Sequence, residues 1–353
     1  MIRQEKRKIY DIVIIGAGQA GLSMGYYLKK SKLSFLILEK DSAVGEVWNK
    51  RYDSLTLFTP HKYSSLPGLP LGESKRTYPT KKEIANYLSE YASAFSLPVQ
   101  VNTCVEEVTQ TEDGFNIMTN QGTFLSQNVV IATGPFTTPF IPPIANHLSD
   151  RVLQLHSSEY RNPAQLQQGA VLVVGGGNSG AQIAVELSNK KETFLSVSHK
   201  MKFLPQDIGQ KSIFWYFDKL GVYRASADSF VGKLLKKQHD PIFGFELKAK
   251  LRDKEILMKP RTIDAKDDLI LFEDGSKLQV ENIIWSTGFK PAYDWIKIPG
   301  VTDSKGAPIH QRGVTQVKGL FFLGLPWQHS RGSALLQGVG ADAEYLYKKF
   351  FDL

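Results

Sequence analysis

Cysteine is almost missing from this sequence: Cys104 is the only one in 353 residues. No intrachain disulfide can form, no thiolate cluster can hold zinc or an iron–sulfur centre, and no dithiol pair can relay electrons. No metal site is therefore expected. Long apolar runs are missing too. Stretches such as residues 12–15 stop at glycine or charge within a few positions, far short of the roughly 18 residues that cross a bilayer. The opening Met1-Ile2-Arg3-Gln4-Glu5-Lys6-Arg7-Lys8 is basic, but no apolar core with a small-residue cleavage site follows it. It reads as a solvated lead-in to a cytoplasmic protein with no membrane insertion. The formal charge of +8 comes from dispersed residues with no recognition motif beside them, so nucleic acid is not an expected partner.

What is present is a rhythm that occurs twice. Residues 10–15 form an apolar run, 21–30 carry helical periodicity and 35–38 are apolar again, which predicts a strand–helix–strand unit. Residues 170–174, 179–188 and 193–197 repeat that plan about midway along the chain. Between the two units, 81–95 reads as a helix, 99–109 and 115–119 as strands, and Gly122 as a hairpin turn before a strand at 128–132. That strand ends in Ala132-Thr133-Gly134. A matching pattern, 269–273, the turn Asp274-Gly275 and 280–286, runs into Ser286-Thr287-Gly288. Pro135, Pro139, Pro142 and Pro143 predict an extended passage between domains.

Further on, 319–323 reads as a strand and 333–351 as a terminal helix. Residues 203–259 break the rhythm and are predicted to be an insertion whose aromatic run, Phe214-Trp215-Tyr216-Phe217, packs internally. The expected fold class is α/β, with two Rossmann-like dinucleotide-binding domains. The first spans 1–155 and resumes at 283–353; the second spans 156–282.

Each unit carries a Gly-x-Gly-x-x-Gly fingerprint between strand and helix. In the first, Gly16-Ala17-Gly18-Gln19-Ala20-Gly21, Gly16 permits a tight turn, Gly18 lets backbone approach a pyrophosphate and Gly21 lets helix pack on strand. The helix N-terminus then faces the phosphates. Glu39, followed by Lys40, ends the next strand about twenty residues on, where a carboxylate accepts hydrogen bonds from ribose hydroxyls. The second fingerprint, Gly175-Gly176-Gly177-Asn178-Ser179-Gly180, is followed by Ser196-Val197-Ser198-His199-Lys200. No acid stands at its ribose position. Ser198, His199, Lys200 and Lys202 can instead serve a 2′-phosphate, which favours NADPH while leaving NADH acceptable. Two dinucleotide sites without a cysteine relay imply that a nicotinamide reduces a flavin by hydride transfer.

On these motifs, together with Gly45-Glu46-Val47-Trp48, Arg51-Tyr52-Asp53-Ser54-Leu55, Tyr78-Pro79-Thr80, Ala132-Thr133-Gly134 and Ser286-Thr287-Gly288-Phe289, the chain resembles the flavin-containing monooxygenases. It is most similar to the short bacterial class associated with cation exporters. The resemblance covers nearly the whole chain. It implies FAD in the first site and NAD(P)H in the second, a C4a-hydroperoxyflavin formed with O2, oxygenation of small sulfides, amines or ketones, and a homodimer. It also implies that Gly45, Trp48, Leu55 and Leu57 line the flavin, with Val105 near the adenine. Ala132, Thr133, Gly134, Thr287 and Gly288 would close over the cofactors, and Gly324 and Ser333 would aim a helix N-terminus at the flavin pyrimidine.

His156 and Tyr160 match the histidine and aromatic of the family's identity segment, with Asp150 and Val152 where phenylalanine and glycine are usual. From its place before the second unit, His156 is expected to brace the linker. His61 and His329 read as loop histidines. That half-formed segment leaves a second reading open, a reductase or oxidase passing electrons to a quinone, a metal or a protein.

Overall fold

The computed structural model describes residues 8–72 and 78–351; all of the basic lead-in except Lys8 lies outside them. Strand β1 (Ile9–Ile15) is followed by α1 (Gln19–Leu28), β2 (Phe35–Leu38), the short α2 (Glu46–Asn49), α3 (Lys81–Ala94), β3 (Val99–Gln100), β4 (Val105–Thr111), β5 (Gly114–Thr119) and β6 (Gly122–Ile131). The sheet order is β3-β2-β1-β6-β5-β4. β1 pairs in parallel with both β2 and β6, whereas β4, β5 and β6 form an antiparallel meander. Alternate residues of β1 feed opposite cores: Ile12 and Ile14 pack with α1 and α3 on one face, Val13 and Ile15 with Ile117 and Phe322 on the other. Both faces are therefore covered, which is why β1 reads as unbroken apolar sequence.

The second sheet is wholly parallel. It contains β7 (Leu153–His156), β8 (Val171–Val174), β9 (Thr193–Ser196), β10 (Ile256–Lys259) and β11 (Asn282–Trp285) in the order β10-β9-β8-β11-β7. Helix α4 (Asn178–Ser188) follows β8. Positions 155/156 and 282/283, expected as domain boundaries, fall within β7 and β11. Afterwards β12 (Leu320–Phe322) returns to pair with β6, and α8 (Leu336–Lys349) packs on α1.

Between β9 and β10 lie α5 (Ile213–Lys219), α6 (Phe230–Lys236) and α7 (Glu246–Arg252). One expectation needs correction. The segment 256–259 is not part of an insertion but β10, the edge strand of the second sheet. Its exposed Leu257 and Met258, and the lysines and acids around it, hide the apolar run that marks a buried strand. Of the aromatic run Phe214 is fully buried, stacked with Phe58 and Tyr223 and tilted against Phe243, while Trp215, Tyr216 and Phe217 are half-buried.

The chain crosses between the sheets twice, and the crossings are joined. Residues 138–139 pair antiparallel with 289–290, and the Phe140 N–H donates to Gly288 O at 2.9 Å. His156, at the end of β7, is fully buried there. Its Nε2 lies 3.0 Å from Gly288 O, so that nitrogen carries the proton, while Nδ1 accepts from the Ser158 N–H at 3.2 Å. Phe289 packs edge-on against the ring. These contacts tie the end of β7 to the second crossing.

Burial lowers the His156 pKa below its ordinary 6.5. The folded chain keeps the ring neutral while the unfolded chain protonates it, so stability is complete above about 6.5 and declines as the pH falls below it. Thermal unfolding followed from about pH 7 to about pH 5 should show this decline. His156→Gln should flatten the slope without abolishing it, because His199 and His310 are shifted in the same direction. Parallel slopes for the two proteins would remove His156 from the account.

Candidate dinucleotide sites

In doubly wound sheets ligands bind where the strand order reverses, beyond the C-terminal strand ends. That point lies between β1 and β6 in the first sheet and between β8 and β11 in the second. A glycine fingerprint follows the central strand in both cases.

The two fingerprints are packed alike. Gly16 has φ +107°, and a Cβ there would meet Ala132 O at 2.7 Å; Gly175 has φ +120°, and its Cβ would meet Ser286 O at 2.2 Å. A Cβ on Gly21 would lie 1.8 Å from Gly16 O, and one on Gly180 would lie 2.0 Å from Gly175 O. In both units, then, the first glycine is pressed against the closing strand and the third against the first. The middle glycines differ: nothing lies within 4 Å of a Cβ on Gly18 or Gly177. Gly134 and Gly288, which end the two Thr-Gly turns, are left-handed and equally open. Thr133 hydrogen-bonds with Tyr293, and the Thr287 hydroxyl donates to Phe140 O.

Around the first fingerprint, Glu39 accepts from the Ala17 N–H at 2.7 Å and the Asp41 N–H at 3.0 Å. Each carboxylate oxygen keeps a free lone pair. Lys40 is exposed and Ala20 buried, and Val105 opens β4 against the core under Val13 and Ile15. Gln19 donates to Ala334 O at 3.2 Å, joining the start of α1 to the turn before α8. Gly324 lies on the same helix: a Cβ there would be 2.8 Å from that of Ala20. The buried Ser333 hydroxyl accepts from the His329 and Ser330 N–H groups, so it shapes this turn. One buried donor on this side of the molecule, Trp48 Nε1, has no partner among the described residues. Buried donors are normally satisfied, so Trp48 Nε1 is open to an acceptor. Gly45 (φ +88°) turns the chain into α2 against Ala85 O, and Leu57 packs on the first core while Leu55 packs on the second unit.

Leu55 belongs to a segment that ties the units together. Buried Lys81 donates to Asn49 O, Arg51 O and Asp53 Oδ1. Its charge, with the Asn162 amide, holds the Asp53 carboxyl below the usual range. The Tyr52 hydroxyl reaches Gln182 at 2.9 Å and Ser179 on α4, and burial raises its pKa. Arg51 lies over the Phe289 ring, its pKa lowered by desolvation. Tyr160 is fully buried with its hydroxyl on Glu186 at 2.8 Å. His61 sits 3.6 Å from Glu83.

At the second fingerprint, Asn178 is held by the polypeptide itself: its amide donates to Pro241 O and accepts from the Phe243 N–H. The Ser198 hydroxyl lies 3.3 Å from His199 Nδ1, and Lys202 donates to Gln238 at 2.9 Å, while Lys200 is exposed. His239 stacks on His199 with centroids 3.8 Å apart. Burial, then the charge of His239, lowers the His199 pKa. Sequence reading missed His239 and Arg51. His239 lies in an aperiodic segment that gave no signal, whereas Arg51 stood inside a quoted motif without a role of its own.

Comparisons with known proteins agree with this geometry. Residues 13–208 match the family described as pyridine nucleotide-disulphide oxidoreductase. The chain is 56% identical to a CzcO-like oxidoreductase of Geobacillus kaustophilus, over 96% of this chain and 97% of that one. It is 56% identical to the CzcO oxidoreductase of Bacillus subtilis, over 97% and 99%. A flavin-containing monooxygenase from Stenotrophomonas maltophilia superposes with a TM-score of 0.84 at 28% identity, covering 98% of this chain and 99% of that one.

The glycine packing separates structural from site positions. Gly21→Ala forces a Cβ into a carbonyl oxygen and should cost about 3 kcal/mol or more. Gly18→Ala meets nothing and should stay within about 1 kcal/mol of the parent. Equal losses in denaturant titrations would show that Gly18, too, is needed for packing.

Proposed function

The chain belongs to the pyridine nucleotide-disulphide oxidoreductase family and, at more than half identity over nearly its full length, with the CzcO-like oxidoreductases; on that footing we propose that it is an NADPH-dependent flavin monooxygenase of small sulfides, amines or ketones. The observation that carries this reading is the pair of fingerprints whose middle glycines alone open onto free space. FAD fits the first. The α1 N-terminus and Gly18 receive the pyrophosphate, Glu39 the ribose, and Trp48 Nε1, unpartnered among the described residues, is a donor for an acceptor on the cofactor. NADPH fits the second, where no acid opposes a 2′-phosphate and Lys200 and Lys202 attract one.

Bound FAD supplies the hydride acceptor and the activation of O2. The protein's part is to hold the nicotinamide unit against the flavin unit through residues 51–55 and the paired crossings. It also presents the turn before α8, whose helix dipole favours negative charge on a reduced flavin ring. Because Cys104 stands alone and exposed, electrons cannot continue to a dithiol within the chain. Oxygen is then the acceptor that fits both this limit and the fold shared with the Stenotrophomonas enzyme. One observation favours a reductase or oxidase instead: His156 is neutral and fully engaged in the linker, so it is not free to relay protons.

Enzyme given NADPH and a thioether in air should yield sulfoxide in step with NADPH consumed, as chromatography of the products would show. Hydrogen peroxide alone across a broad substrate panel would favour the second reading. Gly18→Ala should fold yet lose most of its flavin absorbance. Removing the charges in Lys200→Ala with Lys202→Ala should reduce the NADPH-over-NADH ratio of kcat/KM by about fivefold; an unchanged ratio would discharge both lysines from cofactor choice.

A further inference from the structure

Exposed apolar side chains are concentrated between β9 and β10. The two most exposed large ones among the described residues, Phe230 at 85% and Leu220 at 76%, both lie there. Helix α6 shows why the exposure is organised. Ser229 caps it by accepting from the Gly232 N–H at 3.0 Å. Gly232 faces inward, since a Cβ there would lie 2.0 Å from Ser226 O. With Gly232 fixing the inner side, Phe230 and Leu234, one turn apart, fall on the outer side with Val231 beside them. All three are exposed. Lys233 and Lys237, also one turn apart, border this apolar stripe, and neither forms an ion pair among the described residues. An apolar stripe with lysines along its edge is the pattern of a helix lying in a membrane interface.

The helix is not loosely attached. Residues 226 and 330 form an antiparallel bridge, the Ala227 N–H donates to His329 O, and Asp240 pairs with Arg331 at 2.9 Å. The stripe is thus held beside the turn that precedes α8.

We propose that the outer face of α6, Phe230, Val231 and Leu234 edged by Lys233 and Lys237, docks this enzyme onto an anionic lipid surface. The charges favour lipid over a second copy of the chain. A two-fold contact through this face would set the same unpaired lysines against each other, whereas an anionic bilayer neutralises them and takes up the aromatic and aliphatic side chains at its headgroup boundary. No helix among the described residues is long and apolar enough to cross a membrane, so the contact is peripheral.

Flotation of the full-length enzyme with vesicles tests this independently of its redox chemistry. Binding is expected to vesicles containing phosphatidylglycerol, not to phosphatidylcholine alone, and to weaken with added salt. Phe230→Ser with Leu234→Ser should abolish it. Lys233→Gln with Lys237→Gln should weaken it by about thirtyfold. Both double variants should keep the parental unfolding temperature and rate of NADPH consumption, because the changed side chains are exposed and outside the nucleotide sites. Failure of the folded enzyme to bind, or equal binding to neutral and anionic vesicles, overturns the proposal. So does conversion of a dimer to monomers by the apolar double variant, which would assign the face to a second copy.

Discussion

Everything in the two nucleotide units follows from one close approach repeated twice, the contact of a glycine Cα in the first turn of a helix with the carbonyl of the glycine that ends the preceding strand. At Gly21 and Gly180 the room left for a side chain is less than 2.1 Å from that oxygen to a Cβ, well inside van der Waals contact. Only because the helix lies so near does its N-terminus project over the strand ends, with its free N–H groups and positive pole aimed at one place. The open middle glycine then faces that place. Without the contact the helix would tilt away, and the phosphates would meet solvated backbone.

The two units differ in what surrounds that shared geometry. Beside the first stand a carboxylate and the Trp48 donor, beside the second two lysines and a stacked histidine pair. The link between them is polar but buried: Lys81 collects the carbonyls of residues 49 and 51, and Tyr52 reaches α4. A buried lysine is costly unless fully partnered, so this segment holds one conformation. The surface ion pair of Asp240 with Arg331, by contrast, is worth at most about 1 kcal/mol and acts to orient the loop.

Much of this was legible in the sequence because it follows from local rules. The two βαβ units, both fingerprints and the Thr-Gly turns depend on strand patterning and on glycines whose geometry no other residue supplies. What could not be read depends on contacts distant in sequence. Residues 256–259 looked like the tail of an insertion because an edge strand needs only one buried residue, Ile256, and carries exposed apolar and charged ones. His239 reaches His199 through a segment without periodicity. The Asn178 amide is occupied by the backbone of residues 241 and 243, more than sixty residues along the chain. The stripe on α6 spans a helix of seven residues, Phe230–Lys236, too short for its periodicity to stand out from the lysines within it.

The chain leaves the first sheet through residues 138–139 and comes back through 289–290, and those two short strands are hydrogen-bonded to each other. Departure and return therefore coincide in space, and both crossings of the chain run through one paired seam. In topological terms the second sheet is an excursion from the first: the chain goes out and returns at one place, so the strand order of the first sheet closes as it would if that excursion were a loop.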